Sequence, residues 1–390
     1  MADIEAAYAR AREAIDAARD DLVRISRDIH GHPELAFEER HAAEVLTAFL
    51  ERQGFAVERG VAGLDTAFRA TWGEGPVTVA YLLEYDALPE IGHACGHNLI
   101  ATASLAGALG LKAAVGPADA RVVALGTPAE EGGGGKILMI NAGVFRDVDV
   151  ALMAHPAPVD IAAPPMYGVA TVVVRYRGKA SHASFAPELG INALDAMVTA
   201  YQAIAQLRQH MRRDSRIHGI ITDGGTKPNI VPEHAAGEFY VRALDPAYLE
   251  ELKRRVEKCF EAGALAAGAT VEWEYRGFDY APMRNNRPLV EAYRRHAEAL
   301  GRRFFDGVGA ESTGSTDQGN VSQVVPAIHP MFGVGQFAVN HSPEFTQASI
   351  TDAAHEAMLQ VGKALAFTGV DVALDPDLLR RAKEAFASGK

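Results

Sequence analysis

The segment VTVAYLLEYDALPEIGHACGHN, residues 77–98, indicates the fold class of this chain. Its first half is an almost unbroken apolar run, which is typical of a strand buried on both faces of a parallel sheet. Its second half is polar and contains Glu84, Asp86, Cys95 and His97, and residues 99–114 then continue as small apolar residues typical of a tightly packed helix. A buried strand, a polar loop and a helix in this order indicate an α/β domain.

The same alternation extends on both sides of this stretch. Helical spacing covers residues 4–30 and 40–55, and residues 66–72, 121–128 and 149–156 have the composition of strands. The segment KILMINAGVF, residues 136–145, is predicted as a helix between the last two of these strands. The fold class predicted for this part of the chain is α/β, with a mostly parallel sheet covered by helices.

The pattern changes near residue 168. Between residues 168 and 281 the order of elements is β-α-β-β-α-β, the signature of a ferredoxin-like α+β domain with two helices on one face of an antiparallel sheet. The α/β pattern resumes near residue 282, with helices predicted over residues 287–301 and 350–369 and a strand with a loop over residues 321–334. We therefore predict a discontinuous catalytic domain, residues 1–167 and 282–390, with an inserted domain at residues 168–281.

Composition limits the possible functions. The chain has 390 residues and a net charge of −12, which argues against non-specific binding to nucleic acid because phosphate requires a cationic surface. Two cysteines cannot form a disulfide framework, so a reduced, cytoplasmic protein is expected. The N-terminal segment is charged throughout, and we find neither a signal peptide nor an apolar window that would predict a membrane span.

Polar side chains gather where the predicted strands end, which is where α/β proteins place their catalytic residues. Thiolate, imidazole and carboxylate are the ligands that borderline-soft divalent metals prefer, so together these side chains predict a metal site, although each motif alone is weak. Glu130 and Glu131 are adjacent and point in different directions, so one can bind a metal while the other activates water. The candidate residues are Glu84, Asp86, Cys95, His97, Glu130, Glu131, His155 and His341.

With these residues in place, the chain resembles the dinuclear metal amidohydrolases and metallopeptidases that include aminoacylases, hippurate hydrolases and indoleacetyl-amino-acid hydrolases. The resemblance covers nearly the whole chain. It rests on HGHPELAFEE, EYDALPEIGHACGHN, GTPAEEGGGG, MAHP, GKASHAS, KPNIVPEHA, VRALD, STDQGNVS and NHSPEF, in that order. The second and third motifs most resemble the subgroup of β-alanyl-lysine dipeptidase and aminobenzoyl-glutamate hydrolase.

The resemblance implies a zinc-peptidase-like catalytic domain with an inserted lid or dimerisation domain. It implies one or two divalent metal ions per subunit, zinc, manganese, cobalt or nickel, and a homodimer formed through the inserted domain. The implied metal ligands are Cys95, His97, Glu131, His155 and His341.

The resemblance also implies roles for five further residues. Glu130 matches the general base, and Asp86 matches the acid that orients a ligand histidine. His182 matches a histidine that reaches the active site of the partner subunit and polarises the scissile carbonyl. Asn229 and Arg242 match residues that hold the carboxylate of the substrate, and a guanidinium is suited to that task because it binds carboxylate in a bidentate manner.

The expected reaction is hydrolysis of the amide bond of an N-acyl amino acid or small dipeptide-like substrate. Three alternatives remain open on the sequence: a hydrolytic deaminase of an aromatic or amidine substrate, a non-catalytic metal-binding subunit, and a cysteine peptidase with Cys95 as nucleophile. Asn98 stands where many hippurate-type members carry an acid, and Glu84 lies at a position where members of the family differ widely. Both are expected to alter the charge around the metal ligands, the choice of metal or the substrate. His93 is not expected to be a ligand.

Overall fold

The computed structural model describes residues 4–307 and 314–389, which fall into two compact units. The first unit comprises residues 4–164, 284–307 and 317–389, and the second comprises residues 165–283 and 314–316. The helices are α1 (Ile4–Ala17), α2 (Arg19–Gly31), α3 (Arg40–Arg52), α4 (His97–Ala114), α5 (Gly135–Asn141), α6 (Ala193–Leu207), α7 (Pro246–Ala267), α8 (Arg287–Ala299), α9 (Gln318–Val324), α10 (Pro343–Ala348), α11 (Asp352–Leu374) and α12 (Pro376–Ala387). The strands are β1 (Ala56–Arg59), β2 (Phe68–Trp72), β3 (Thr78–Leu83), β4 (Arg121–Gly126), β5 (Val150–Leu152), β6 (His155–Ala157), β7 (Gly168–Arg177), β8 (Ser215–Asp223), β9 (His234–Ala243), β10 (Thr270–Tyr280), β11 (Ala327–Ile328) and β12 (Met331–Gly333).

The first unit is built on a six-stranded sheet with the order β1-β2-β4-β3-β5-β11. Strand β3 pairs in parallel with β4 and β5, and β5 pairs in parallel with β11. Strands β1 and β2 are the antiparallel edge of this sheet. All six residues of β3 are buried, as its apolar run predicts. Because β3, β4 and β5 are parallel, the polar residues that follow them emerge at the same edge of the sheet.

Helices α4 and α11 form the core of the first unit against this sheet. Small residues allow the close packing: a Cβ at Gly107 would lie 2.6 Å from the Tyr81 ring, and one at Gly362 would lie 2.7 Å from the Ala106 side chain. Helix α11 is long and apolar enough to cross a membrane, but 78% of its most apolar window is buried inside the protein. Its composition is therefore explained by its position in the core.

The second unit contains a four-stranded sheet with the order β10-β7-β9-β8, in which every pair of neighbours is antiparallel. Helices α6 and α7 pack on one face of this sheet around a separate apolar core. This is the predicted ferredoxin-like arrangement, and with the parallel sheet of the first unit it confirms the predicted fold class.

Three local predictions were wrong or incomplete. The single helix predicted over residues 4–30 is two helices, α1 and α2, which meet at Ala18. The strand predicted from residue 321 is instead the end of helix α9, and strands β11 and β12 follow it. Helix α12 carries an amphipathic pattern that the sequence analysis did not assign.

Candidate metal centre

The first unit brings the eight candidate residues of the strand ends together. Glu84 and Asp86 follow β3 directly, Glu130 and Glu131 lie in the loop after β4, and His155 begins the short strand β6 after β5. Cys95 and His97 lie at the start of helix α4, and His341 comes from the loop between β12 and α10. The hydrogen bond from the His341 backbone N–H to the Ala94 carbonyl, at 2.8 Å, ties that loop to the Cys95 turn.

Gly96 shapes the turn that carries Cys95 and His97. It has a φ of 76°, in the left-handed region that favours glycine. A Cβ at this position would lie 2.6 Å from the Pro156 ring and 3.1 Å from the Phe345 ring. The Cys-Gly-His spacing is therefore required by both the backbone conformation and the packing, and it directs two donor side chains towards the same region.

The five predicted ligands are close enough to surround metal ions. Cys95 Sγ lies 3.4 Å from His155 Nε2, and Glu131 Oε1 lies 3.3 Å from His341 Nε2 and 3.8 Å from His97 Nε2. Tetrahedral zinc with bonds of about 2.0 to 2.3 Å would separate its ligand atoms by about 3.3 to 3.8 Å. The donor atoms form two groups that share Cys95, one with His97 and His155 and the other with Glu131 and His341. Both the donor types and their spacing fit one or two divalent metal ions.

Asp86 orients two of these groups. Its Oδ1 lies 2.9 Å from His97 Nδ1, and its Oδ2 accepts a hydrogen bond from the Glu131 backbone N–H at 2.9 Å. With Nδ1 held in this way, His97 directs Nε2 towards the other donors, which is the usual function of a carboxylate behind a metal-binding histidine. Burial opposes ionisation of Asp86, but the charge and hydrogen bond of His97 hold the pKa of this carboxyl below its ordinary value.

His155 and Cys95 are also prepared as donors. His155 Nδ1 lies 2.7 Å from the Pro156 carbonyl, so the ring proton sits on Nδ1 and Nε2 is left with a free lone pair. Burial lowers the pKa of His155 to about 4, which keeps the ring neutral. Burial raises the pKa of the Cys95 thiol well above its ordinary value, so a nearby cation is needed to stabilise the thiolate.

Glu130 and Glu131 have opposite proton affinities although they are neighbours. Burial raises the pKa of Glu130 well above its ordinary value, and the charges of Glu84 and Glu131 raise it further. Glu131 is also buried, but the hydrogen bond from His341 and the charge of His97 hold its pKa below the ordinary value. Environments that push two carboxyl pKa values apart are typical of a proton carrier beside a charged ligand.

A buried ion network, formed by Glu84, Lys136 and Asp317, borders Glu130. Lys136 Nζ lies 2.6 Å from Glu84 Oε1 and 2.7 Å from Asp317 Oδ1, and none of the three side chains is exposed to solvent. One oxygen from each of Glu84, Glu130 and Asp317 lies within 4.8 Å of the others. Burial opposes the charge of Lys136, but Asp317 and Glu84 raise its pKa above the ordinary value.

Lys136 and Asp317 were not predicted from the sequence as members of the site. Asp317 lies in the motif STDQGNVS, which was part of the resemblance but had no role attached to it, and Lys136 follows the glycine run directly. Of the three residues in this network, only Glu84, an acid at the end of an apolar strand, was a candidate from the sequence. Its Oε2 lies 3.7 Å from His97 Nε2, so Glu84 connects the ion network to one of the predicted metal ligands.

The structure places Asn98 and His93 away from ligand positions. Asn98 is buried, and its amide donates hydrogen bonds to Ser26 Oγ at 3.0 Å and to the Ser349 carbonyl at 3.2 Å. It therefore joins helix α4 to helix α2 and to the residue after α10. The His93 ring stacks on His30 with centroids 6.1 Å apart, and burial lowers its pKa to about 3.

The second unit carries the other three predicted residues. His182 is exposed, and its Nδ1 accepts a hydrogen bond from the Phe185 backbone N–H at 3.2 Å, so the proton of the neutral ring sits on Nε2. Asn229 is exposed, and its carbonyl accepts a hydrogen bond from the Ala183 backbone N–H at 3.0 Å. Arg242 lies on β9 and is half-buried.

Comparison with known proteins agrees with this architecture. The model of the peptidase dimerisation domain of the M20 family matches residues 166–267. The chain is 46% identical to the Xaa-Arg dipeptidase of Mus musculus, over 99% of this chain and 93% of that protein. It is 31% identical to a component of the p-aminobenzoyl-glutamate hydrolase of Escherichia coli (strain K12), over 95% of this chain and 93% of that protein.

Two solved structures have the same fold. One is a putative aminohydrolase from methicillin-resistant Staphylococcus aureus, with a TM-score of 0.79, 22% identity and coverage of 93% of this chain and 98% of that chain. The other is a dinuclear metal-binding M20 peptidase from Bacillus subtilis, with a TM-score of 0.73, 21% identity and coverage of 92% of this chain and 99% of that chain.

The fold, the donor cluster and these relatives define a metal-dependent hydrolase of the dinuclear metallopeptidase and amidohydrolase class. The chain belongs to the M20 peptidase family. This assignment confirms the predicted superfamily and the prediction of a metal-dependent hydrolase.

Proposed function

We propose that this chain hydrolyses the amide bond of an N-acyl amino acid or small dipeptide, releasing a carboxylic acid and an amino acid. The observation that carries the proposal is the cluster of Cys95, His97, Glu131, His155 and His341, whose nearest donor atoms lie 3.3 to 3.8 Å apart beside a buried glutamate. The 46% identity to a dipeptidase acting on Xaa-Arg supports a dipeptide with a C-terminal basic residue as the first substrate to test.

The five ligands would hold one or two divalent ions, and zinc, manganese, cobalt or nickel would suit them. Bound there, such an ion supplies positive charge that makes a water more acidic and polarises a carbonyl oxygen. Glu130 takes a proton from the attacking water and passes it to the leaving nitrogen. Asp86 keeps His97 in the orientation and tautomer needed for this work.

We assign roles in substrate binding to three residues of the second unit. His182 would donate from Nε2 to the scissile carbonyl oxygen, because its Nδ1 already accepts from its own turn. Arg242 and Asn229 would bind the carboxylate of the leaving amino acid. These assignments follow from the resemblance and from the donor atoms that each side chain leaves available.

We also propose a homodimer formed through the second unit, the part of the chain that matches the dimerisation domain. Strand β8 is an edge of the four-stranded sheet, and Ile220 and Ile221 on it are 65% and 39% exposed. An edge strand with exposed apolar side chains favours pairing with a second chain. Sedimentation should show a dimer, and a monomer with full activity would contradict this proposal. Because a thiol ligand must stay reduced, we further propose that the enzyme works in the cytoplasm.

The experiment that tests the base assignment is Glu130→Gln. This variant should keep its metal content, measured by elemental analysis, and lose turnover by about 100-fold or more. Glu131→Gln should lose metal as well as activity, and Glu58→Gln, at an exposed position on β1, should change neither. Full activity of Glu130→Gln would show that another group carries the proton.

A release screen identifies the bond that is cleaved. Dipeptides with C-terminal arginine or lysine, N-acyl amino acids and aminobenzoyl-glutamate should release an amino acid, whereas a deaminase would release ammonia. The alternative of Cys95 as nucleophile predicts rapid alkylation by iodoacetamide in the metal-loaded enzyme. We expect resistance instead, because Cys95 is 8% exposed and would be bound to metal.

A further inference from the structure

Two polar groups of the second unit have an unused capacity to bind. Arg242 is half-buried, and the contacts of its guanidinium within the described residues are with His218, Ser315 and the Tyr240 ring, none of which is a carboxylate. The Tyr167 hydroxyl is buried and has no hydrogen-bond partner within residues 4–307 and 314–389. A buried polar group without a partner is costly, and such a group is often retained because a ligand supplies the missing hydrogen bond.

The two residues lie close together at the end of the sheet where β7 begins and β9 ends. Arg242 pairs with Val169 across strands β9 and β7, and Tyr167 precedes Val169 by two residues, which puts it diagonally across from Arg242. Both residues also contact the segment 314–316. The Tyr167 backbone N–H donates to the Gly314 carbonyl at 2.9 Å, and Arg242 Nη1 donates to Ser315 Oγ at 2.8 Å.

Neighbouring side chains hold the guanidinium in a fixed orientation. Arg242 Nε donates to His218 Nε2 at 3.2 Å, and the Tyr240 ring lies 5.6 Å from the guanidinium carbon. Burial and the charges of Arg242 and Arg208 lower the pKa of His218, so this ring stays neutral and can accept. With Nε bound to His218 and one Nη1 proton bound to Ser315, the other Nη1 proton and both Nη2 protons remain for an end-on ligand.

We propose that Tyr167 is a specificity-determining residue that donates a hydrogen bond to the substrate carboxylate held end-on by Arg242, and that His218 and Ser315 orient the guanidinium. The proposal rests on the proposed function, in which Arg242 binds the carboxylate of the leaving amino acid. The ligand is a free α-carboxylate, and a carboxamide at the same position would lose the charge that Arg242 and Tyr167 recognise.

The test is Tyr167→Phe, measured on the best-cleaved dipeptide of the release screen and on the C-terminal amide of the same dipeptide. Because a hydrogen bond to a charged group is lost, we expect KM for the free acid to rise about 10-fold or more, with kcat within about twofold of the parent. The preference for the acid over the amide, as a ratio of kcat/KM values, should fall by a similar factor. The inhibition constant of L-arginine should rise likewise, whereas that of L-argininamide should not.

A stability measurement separates ligand binding from a structural role. The Tyr167 hydroxyl has no partner to lose within the described chain, so Tyr167→Phe should unfold at the same or a higher denaturant concentration. Tyr201→Phe is the matched control, since the Tyr201 hydroxyl donates to the Gly219 carbonyl at 3.2 Å. That control should lose some stability and leave KM unchanged.

Arg242→Lys distinguishes the failure of this inference from the failure of the proposed function. If Arg242→Lys raises KM for the free acid and Tyr167→Phe does not, the role of Tyr167 is overturned, whereas the role of Arg242 in binding the carboxylate is supported. If neither variant changes KM or the preference for acid over amide, the carboxylate-binding assignment is overturned as well. A rise in KM for both variants, confined to the free acid, supports both.

Discussion

Replacing Lys136 by Met should destabilise the first unit more than any surface substitution of a lysine. The Lys136 ammonium lies within 2.7 Å of two carboxylates, and all three side chains have no exposed surface. Removing one partner of a buried ion pair leaves an uncompensated charge and costs about 3 to 5 kcal/mol. Met has a similar shape, so little of this loss would come from a cavity.

The two tryptophans allow the measurement to be confined to one unit. Trp72 lies on β2 of the first unit and Trp273 on β10 of the second. In a Trp273→Phe background, urea unfolding followed by fluorescence reports the first unit through Trp72 alone. The metal-free protein should be used, because any change in metal affinity would otherwise add to the difference.

Two further variants test whether the loss of stability comes from the uncompensated buried charges. The triple variant Lys136→Met, Glu84→Gln, Asp317→Asn removes the charges together and should recover most of the loss. Lys383→Met breaks a surface pair with Asp149 and should cost about 0 to 1 kcal/mol. A loss below about 1 kcal/mol for Lys136→Met, or a triple variant no more stable than the single one, would show that the charges are compensated in another way.

Two other substitutions test buried polar groups in the same unit. Burial raises the pKa of Glu39 from 4.5 to about 7, while Thr66 Oγ1 and the Ala129 N–H donate to its two oxygens. Because the pKa of Glu39 is higher in the folded state, its contribution to the free energy of unfolding is fully present below pH 4.5 and is lost as the pH rises through 7. The parent protein should therefore lose about 3 kcal/mol of stability over this interval relative to Glu39→Gln. Urea unfolding of both proteins at pH 5 and pH 8 measures this difference. Asn98→Asp should place a carboxylate against the Ser349 carbonyl and lower the free energy of unfolding by about 3 kcal/mol at pH 8, and by less at pH 5. The relative affinities for zinc, manganese, cobalt and nickel should stay in the same order. A changed metal preference without loss of stability would contradict this.

The central strands of the first unit, and the gathering of the candidate ligands beside them, could be predicted because their signals are local. The run before Glu84 is buried along its whole length, and Glu84, Glu130 and His155 each follow their strand within four residues. Lys136 could not be placed in the same way, because it is 181 residues from Asp317 in sequence. A lysine next to glycines is usually exposed, and only the folded chain shows that two distant carboxylates compensate its charge.

The helix boundary at α1 and α2 and the helix α9 were predicted wrongly for the same reason: they depend on contacts between residues far apart in the sequence. Residues Ala18 and Arg19 are good helix formers, so nothing local predicts that α1 ends and α2 begins there. The segment around Val321 and Val324 is rich in β-branched residues, yet helix α9 forms and caps with a bond from the Val325 N–H to the Val321 carbonyl. In both places tertiary packing overrides a weak local preference.

Asn98 and Glu84 were grouped in the sequence as two departures near the metal ligands, and the structure separates them. The Asn98 side-chain nitrogen donates to Ser26 Oγ and to the Ser349 carbonyl, so this residue serves the contact of α4 with its neighbours. Glu84 instead faces His97 at 3.7 Å and Lys136 at 2.6 Å, so an acid at this position requires a buried cation to accompany it. It follows that the buried ion network of Glu84, Lys136 and Asp317 acts as a whole and sets the charge beside Glu130. Relatives that lack one of these three residues should therefore lack the other two.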